Sequence, residues 1–144
     1  MDRCVAEMVA ARGRVAQPPE ETLLLYGAAA LIESFYTGIE KALTRIARQF
    51  GGLPDGEAWH RQLLRDASLD VPSLRPAVLS QQGVAGLEPY LAFRHRFRNL
   101  YVFDLEVMPI VQLLNQATTA WQVPRAELEV FAALAERWAT ELGG

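Results

Sequence analysis

Apolar residues recur along most of this chain at intervals of three and four positions, the spacing that places them on one face of an α-helix. No segment alternates apolar and polar residues for long enough to indicate a β-strand. The pattern therefore predicts an all-α protein, a bundle of about five to six helices. Because no linker or change of composition divides the 144 residues, a single domain over residues 1–144 is expected.

Two helices are predicted in the N-terminal part of the chain. The first covers Asp2 to about Val15 and ends ahead of a Gln-Pro-Pro sequence. The second begins near Pro19, since proline suits the first helical position, and runs to about Phe50. Two consecutive glycines then end it. This second helix is expected to be the longest of the bundle.

The middle of the chain is predicted to hold two more helices around an irregular segment. A short helix runs from Glu57 to about Ala67. Residues 68–83 contain two prolines and a glycine, which makes them the main irregular segment. A helix from about Val84 to Tyr101 follows.

Prolines decide the prediction for the C-terminal part. Asp104 can cap the next helix, and Pro109 lies too deep for a regular first turn, so a late start or a kink is expected. Pro124 separates that helix from a last one, which extends to about Leu142. Two helices are therefore predicted here.

The composition narrows the class of protein. The chain has 51% hydrophobic and 22% charged residues and no apolar run close to the ~18–20 residues of a membrane span, so no membrane partner is expected. Arg3, Glu7 and Arg12 interrupt any apolar core of a signal peptide. With Cys4 as the only cysteine, a cytoplasmic location is expected.

Charge and motif content exclude several functions. The formal net charge of −3 argues against the broad basic surface that duplex nucleic acid requires, so no DNA partner is expected and any RNA contact must be local. Two histidines and one cysteine, without Cys-x-x-Cys or His-x-x-x-His spacing, predict no metal site, and no cofactor motif occurs. His60, in the short helix, is interpreted as a packing or capping residue rather than a catalyst.

Polar side chains suited to chemistry concentrate in one segment, FRHRFRNLYVFDL at 93–105. Drawn as one helix, it places five polar residues within an arc of about 160°: Arg94, His95, Arg98, Asn99 and Tyr101. Arg94 and Arg98 are like charges one turn apart, which destabilises an isolated helix by about 0.2–0.5 kcal/mol. A negative group is therefore expected beside them.

The arginines have two interpretations at this point. Arg94, Arg96 and Arg98 concentrate positive charge in an acidic chain and are candidates for a local phosphate or RNA contact. Alternatively, they are solvated or paired with glutamates. Glu40 shares the long helix with Tyr36 and is a candidate partner for one arginine, the alternative being a solvated glutamate.

Four segments in a fixed order resemble the HepT-like branch of the HEPN superfamily. They are IESFYTGIEKALTRIA at 32–47, WHRQLL at 59–64, RPAV at 75–78 and FRHRFRNLYVFDL at 93–105. The resemblance covers about residues 20–120. It implies a HEPN-like helical bundle that dimerises, and a metal-independent endoribonuclease toxin paired with a minimal nucleotidyltransferase.

The signature of that family is an arginine, four to six residues, a histidine, any residue and a tyrosine. Here it reads Arg94, four residues, Asn99, Leu100 and Tyr101. The resemblance implies that Arg94 stabilises charge on the RNA phosphate. Asn99 occupies the position of the histidine that helps to activate the ribose 2′-hydroxyl, but an amide exchanges no proton near neutral pH.

The signature also suggests roles for two further residues, His95 and Tyr101. His95 lies one helical turn before Asn99 and is a candidate substitute imidazole. Its alternative role is to hydrogen-bond Asn99 or a carboxylate of a partner chain. Tyr101 matches the tyrosine that the nucleotidyltransferase adenylylates in related toxins, and its alternative is a solvated aromatic residue at a helix end.

The expected protein is a homodimer in which the helices that carry Arg94 form a shared cleft. Trp59, Trp121 and Trp138 support a dimer because they exceed what one small core readily hides. The main functional hypothesis is the ribonuclease toxin of a two-gene system. The alternative is a non-catalytic partner, antitoxin or scaffold for the nucleotidyltransferase. A purely structural helical oligomer would leave the Arg94 and Arg98 pair unexplained.

Overall fold

A computed structural model describes residues 1–15, 22–99 and 105–143. Within these ranges the chain forms five helices: α1 (Asp2–Val15), α2 (Thr22–Gln49), α3 (Trp59–Asp66), α4 (Gln81–Phe97) and α5 (Val107–Gly143). Pairing of β type in the same ranges is limited to an isolated bridge between Val71 and Arg75. The prediction of an all-α bundle is therefore confirmed.

The centre of the bundle is α2, which packs against the other four helices. Its Phe35 meets Tyr90 of α4 and Trp121 of α5 edge-on, with ring centroids 5.1 and 5.7 Å apart. The Tyr90 hydroxyl donates to the backbone carbonyl of Leu113 at 2.7 Å, so its polar end is satisfied in the core. These contacts fix α4 against both α2 and α5.

The first three helices follow the sequence pattern closely. α1 has the bounds that its periodicity predicted, and α3 falls inside the predicted short helix. α2 ends at Gln49, just before Gly51 and Gly52, whose φ angles of 121° and 94° favour glycine. The expected start of this helix near Pro19 lies outside the described residues.

The prediction of two helices in the C-terminal part is wrong, since α5 runs through Pro124 without a break. With 37 residues it is longer than α2, which has 28. Pro124 is itself buried, and the packing of α5 on three other helices outweighs the local penalty of a proline, about 3 kcal/mol.

Pro109 lies in the first turn of α5, where a missing N–H leaves no bond unmade. Asp104, the expected cap, lies outside the described residues. No helix in the described ranges is long and apolar enough to cross a membrane.

α4 begins earlier than predicted because Ser80 caps it. The Ser80 hydroxyl accepts from the Gly83 N–H at 3.0 Å. Glu127 of α5 then accepts from both the Ser80 N–H at 2.6 Å and the Ser80 hydroxyl at 2.9 Å. The start of α4 is thereby tied to α5.

α4 also ends earlier than predicted, at Phe97 rather than Tyr101. Arg98 is its C-cap, and the Asn99 N–H donates to the Arg96 carbonyl at 3.0 Å in a turn. The expectation of one continuous helix from residue 93 through Asn99 is therefore wrong, because local turn bonds replace the helical ladder.

The three tryptophans differ in how far the single chain buries them. Trp121 is buried, Trp59 packs against the core from α3, and the Trp138 ring lies 6.0 Å from that of Phe50. Trp59 and Trp138 are thus only half-buried in the single chain, and the dimer expected from these residues stays a prediction.

Candidate functional site

A buried ion pair joins α4 to α2. Arg94 is only 4% exposed, and its Nη2 donates to Glu40 Oε1 at 2.9 Å. The same guanidinium lies over the ring of Tyr36, with Cζ 5.3 Å from the ring centroid. Tyr36 and Glu40 are one turn apart on α2 and share the face that meets α4. The structure therefore brings Arg94, Glu40 and Tyr36 together, and pairs Glu40 with one of the arginines.

An imidazole completes this cluster from a third helix. His60 of α3 places its Nδ1 2.7 Å from Glu40 Oε2 and 3.3 Å from Arg94 Nη2. Its ring stacks on Trp59, with centroids 3.8 Å apart. The Glu40 carboxylate thus bridges a guanidinium on one oxygen and an imidazole on the other. We call Arg94, Glu40 and His60 the bridged cluster.

The contacts of His60 determine which of its two ring nitrogens carries the proton. A carboxylate beside a guanidinium is ionised and only accepts hydrogen bonds, so the Nδ1 atom at 2.7 Å must donate to Glu40. The lone pair of the neutral ring then lies on Nε2. In this tautomer the approach of 3.3 Å between His60 and Arg94 joins two donors and is not a hydrogen bond.

Tyr36 contributes packing rather than proton transfer. Its side chain is fully buried, and this burial, with a smaller effect from the charge of Glu40, raises the pKa of the phenol well above its ordinary value. The hydroxyl therefore stays protonated at neutral pH. Its aromatic face supports the Arg94 guanidinium by a cation–π contact.

The remaining arginine-rich residues do not join the cluster. His95 and Arg96 are exposed on α4, whereas Arg94 is buried on the side that faces α2. Arg98 is exposed and pairs with Glu33 of α2, Nε to Oε1, at 3.2 Å. Arg94 and Arg98 therefore both pair with glutamates of α2, and only Arg94 is buried, because a helical projection does not include the counter-ion that buries it.

The negative group expected beside Arg94 and Arg98 turns out to be two glutamates of the same chain. Glu40 neutralises Arg94, and Glu33 neutralises Arg98. The arginine pair therefore requires no external anion, and a structural role for it is no longer unexplained.

The signature positions beyond Arg94 provide no imidazole. The Asn99 side-chain amide donates to the His95 carbonyl at 2.9 Å and so closes the end of α4. Leu100 and Tyr101 lie outside the described residues. The side chain that sequence reasoning missed is His60, interpreted there as packing. It lies 34 residues from Arg94, so no local spacing links them, and its sole signal was the WHRQLL segment.

Within the described ranges, His, Cys, Asp and Glu side chains form no group of three or more suited to a metal ion.

Searches of curated proteins and of solved structures find no match to this chain. A family model described as HepT-like protein matches residues 27–135, a range that contains Glu40, His60 and Arg94. Because the match spans most of its length, the chain belongs to the HepT-like family of the HEPN superfamily.

Proposed function

We propose that this HepT-like chain is a metal-independent endoribonuclease that acts in the cytoplasm as the toxin of a two-gene system with a nucleotidyltransferase. The observation that carries the proposal is the Glu40 carboxylate, which holds a buried guanidinium and a partly exposed imidazole. RNA supplies its own nucleophile, the ribose 2′-hydroxyl. A site that holds a proton acceptor in one orientation therefore has the group that activates this nucleophile.

The test is cleavage of RNA in the presence of EDTA by protein produced without the nucleotidyltransferase. The wild type should cleave at an unchanged rate in the chelator. The rate of cleavage by Arg94→Ala should fall about a hundredfold, because Glu40 would lose the guanidinium that holds Oε1 and leaves Oε2 to orient His60. The matched control is Arg125→Ala, because Arg125 is an exposed arginine of α5 paired with Asp2.

Arg94→Lys accompanies the alanine variant, since it keeps a positive charge beside Glu40 if Arg94→Ala fails to fold. Circular dichroism establishes which variants are folded. Cleavage that disappears in EDTA, or that persists unchanged in a folded Arg94 variant, would place the activity elsewhere.

A second candidate function is a non-catalytic partner or antitoxin of the nucleotidyltransferase. Two contacts favour it: Glu40 neutralises Arg94, and the Asn99 amide is bound to the His95 carbonyl. In that case the wild type should leave RNA intact under every condition. Tyr101 should still accept AMP on co-expression with the nucleotidyltransferase, as a mass increase that Tyr101→Phe abolishes.

We also propose a homodimer in which the two α4 helices face each other. Its support is the HepT-like family together with the exposed positions of His95, Arg96 and Arg98, which would line a cleft between the copies. Such a cleft would concentrate positive charge for an RNA backbone in an otherwise acidic protein. Light scattering gives the mass in solution, and a monomer would exclude the shared cleft.

A further inference from the structure

We infer that His60, held by Glu40, is the general base of the proposed ribonuclease reaction. The inference rests on the proposed function. It assigns proton transfer to a residue outside the signature segment, on a different helix, 39 positions before Asn99 in the sequence.

The contacts of His60 are those of a base held in one orientation. Glu40 Oε2 accepts from Nδ1 at 2.7 Å, and Trp59 stacks on the ring at 3.8 Å between centroids. With Nδ1 engaged, the proton-accepting atom of the neutral ring is Nε2. A carboxylate that fixes the tautomer of a histidine also stabilises the imidazolium formed when that ring accepts a proton.

His60 is also the member of the bridged cluster that RNA can reach. Its side chain is 35% exposed, against 4% for Arg94 and 11% for Glu40. Arg94 therefore acts through Glu40: its Nη2 holds Oε1, which leaves Oε2 for His60. On this basis Arg94 is a positioning residue rather than a phosphate contact.

The other candidate bases are less suitable. Asn99 has no basic nitrogen, and burial keeps the Tyr36 phenol protonated. His95 is exposed on α4, and among the described residues no carboxylate contacts its ring. The chain has only two histidines, so the choice of imidazole is between His60 and His95.

The proposed step conserves atoms and charge. Nε2 of His60 takes the proton of the ribose 2′-hydroxyl while the 2′-oxygen forms a bond to phosphorus. The bond between phosphorus and the 5′-oxygen breaks, and that oxygen takes a proton from water. The products are a 2′,3′-cyclic phosphate and a 5′-hydroxyl end, and the imidazolium returns its proton to solvent.

The experiment uses the full chain, produced without the nucleotidyltransferase, and total cellular RNA as the probe. New 5′-hydroxyl ends are mapped by sequencing, and an oligonucleotide of the mapped sequence then serves for rate measurements. Four proteins are compared: wild type, His60→Ala, His60→Asn and His95→Ala. The asparagine variant can still donate a hydrogen bond to Glu40 but cannot accept a proton, which separates positioning from catalysis.

The rate of RNA cleavage should fall about a hundredfold or more in both His60 variants, the usual contribution of a general base. His95→Ala leaves the bridged cluster intact, so its rate of cleavage should fall far less than that of either His60 variant. An oligonucleotide with a single 2′-deoxyribose at the scissile nucleotide should resist the wild type completely.

Two outcomes overturn the inference in distinguishable ways. If the wild type cleaves and a folded His60→Asn cleaves equally well, His60 is not the base, while the ribonuclease function stands. If the wild type produces no 5′-hydroxyl ends in total RNA, the proposed function fails and the base assignment fails with it.

Discussion

Among the arginines that the structure describes, two are buried, and they are buried in different ways. Arg94 is 4% exposed and Arg75 is 8% exposed, and each has one buried nitrogen without a hydrogen-bond partner in the described residues, Nη1 and Nε respectively. Arg75 donates to three backbone carbonyls, those of Asp66 at 3.3 Å, Leu69 at 3.0 Å and Pro76 at 3.0 Å. Arg94 donates instead to the carboxylate of Glu40.

The partners decide what each arginine can do. The carbonyls around Arg75 lie within nine residues of it and exchange no protons, so they only fix the irregular segment between α3 and α4. Burial lowers the pKa of Arg75, an effect that nearby Asp66 and Asp70 oppose. Arg94 is instead held by the titratable side chain of Glu40 on α2, which also binds His60 of α3. A buried charge alone therefore does not mark a functional site; its contact with titratable groups does.

Among the variants that test this difference between the two arginines, Glu40→Ala should have the largest effect on stability. It leaves the buried charge of Arg94 without a counter-ion, which should lower the free energy of unfolding by about 3–5 kcal/mol. Glu33→Ala is the matched control on the same helix. Its ion pair with Arg98 is exposed, so the loss should stay below about 1 kcal/mol.

Urea denaturation followed by circular dichroism measures both variants. Adding Arg94→Met to Glu40→Ala should recover part of the stability, since the uncompensated charge is then gone. Equal losses for Glu40→Ala and Glu33→Ala would mean that Arg94 is not held by its ion pair.

A smaller effect is expected from Arg75→Met. The change leaves three backbone carbonyls without their donor, which should reduce the free energy of unfolding by about 2–4 kcal/mol. The rate of RNA cleavage per folded molecule should stay at the wild-type value, in contrast to Arg94 variants. Arg65→Met, at the exposed end of α3, should change stability by no more than about 0.5 kcal/mol. A cleavage defect in folded Arg75→Met would remove the distinction between the two arginines.

The smallest effect on stability is expected from Gly83→Ala, near the start of α4, the helix that carries Arg94. A Cβ on Gly83 would lie 2.5 Å from Glu127 Oε1, so Gly83→Ala must displace the carboxylate that binds Ser80. Losing the two hydrogen bonds from Ser80 to Glu127 should outweigh the better helix propensity of alanine and destabilise the protein by about 0.5–1 kcal/mol. Gly27→Ala, where a Cβ meets nothing within 4 Å, should instead stabilise it by up to about 1 kcal/mol. Thermal unfolding shows whether each variant is more or less stable than the wild type. A stabilising Gly83→Ala would show that Glu127 is not needed at the start of α4.

The fold follows from the sequence wherever local and tertiary preferences agree. The bounds of α1 and the glycine end of α2 are read from periodicity and backbone freedom alone. Pro124 is the exception, because its local rule predicts a break and the packing of α5 overrides it. The start of α4 at Ser80 follows a local rule, since serine is a preferred N-cap residue, but the bond from Ser80 to Glu127, 47 residues later, is contained in no local pattern.

The site is readable from the sequence only in part. Charge balance correctly suggested a glutamate partner for an arginine, and the family signature singled out Arg94. A projection of one isolated helix could not predict that Arg94 turns inward while His95 stays exposed, because that depends on α2. His60 reaches the cluster only through the folding of α3 onto α2, a contact that no residue spacing encodes.

The shortness of α3 has a consequence for how the site behaves over time. Its eight residues are fewer than the ~12–15 at which an isolated helix becomes even marginally stable in water. The helix therefore persists by docking, through buried Leu63 and Leu64 and through the bond from His60 to Glu40. Local opening of such a segment requires less free energy than unfolding of the whole bundle. The imidazole can thus leave the ion pair while α2 and α4 stay folded, and amide hydrogen exchange in α3 would report how often the bridged cluster is assembled.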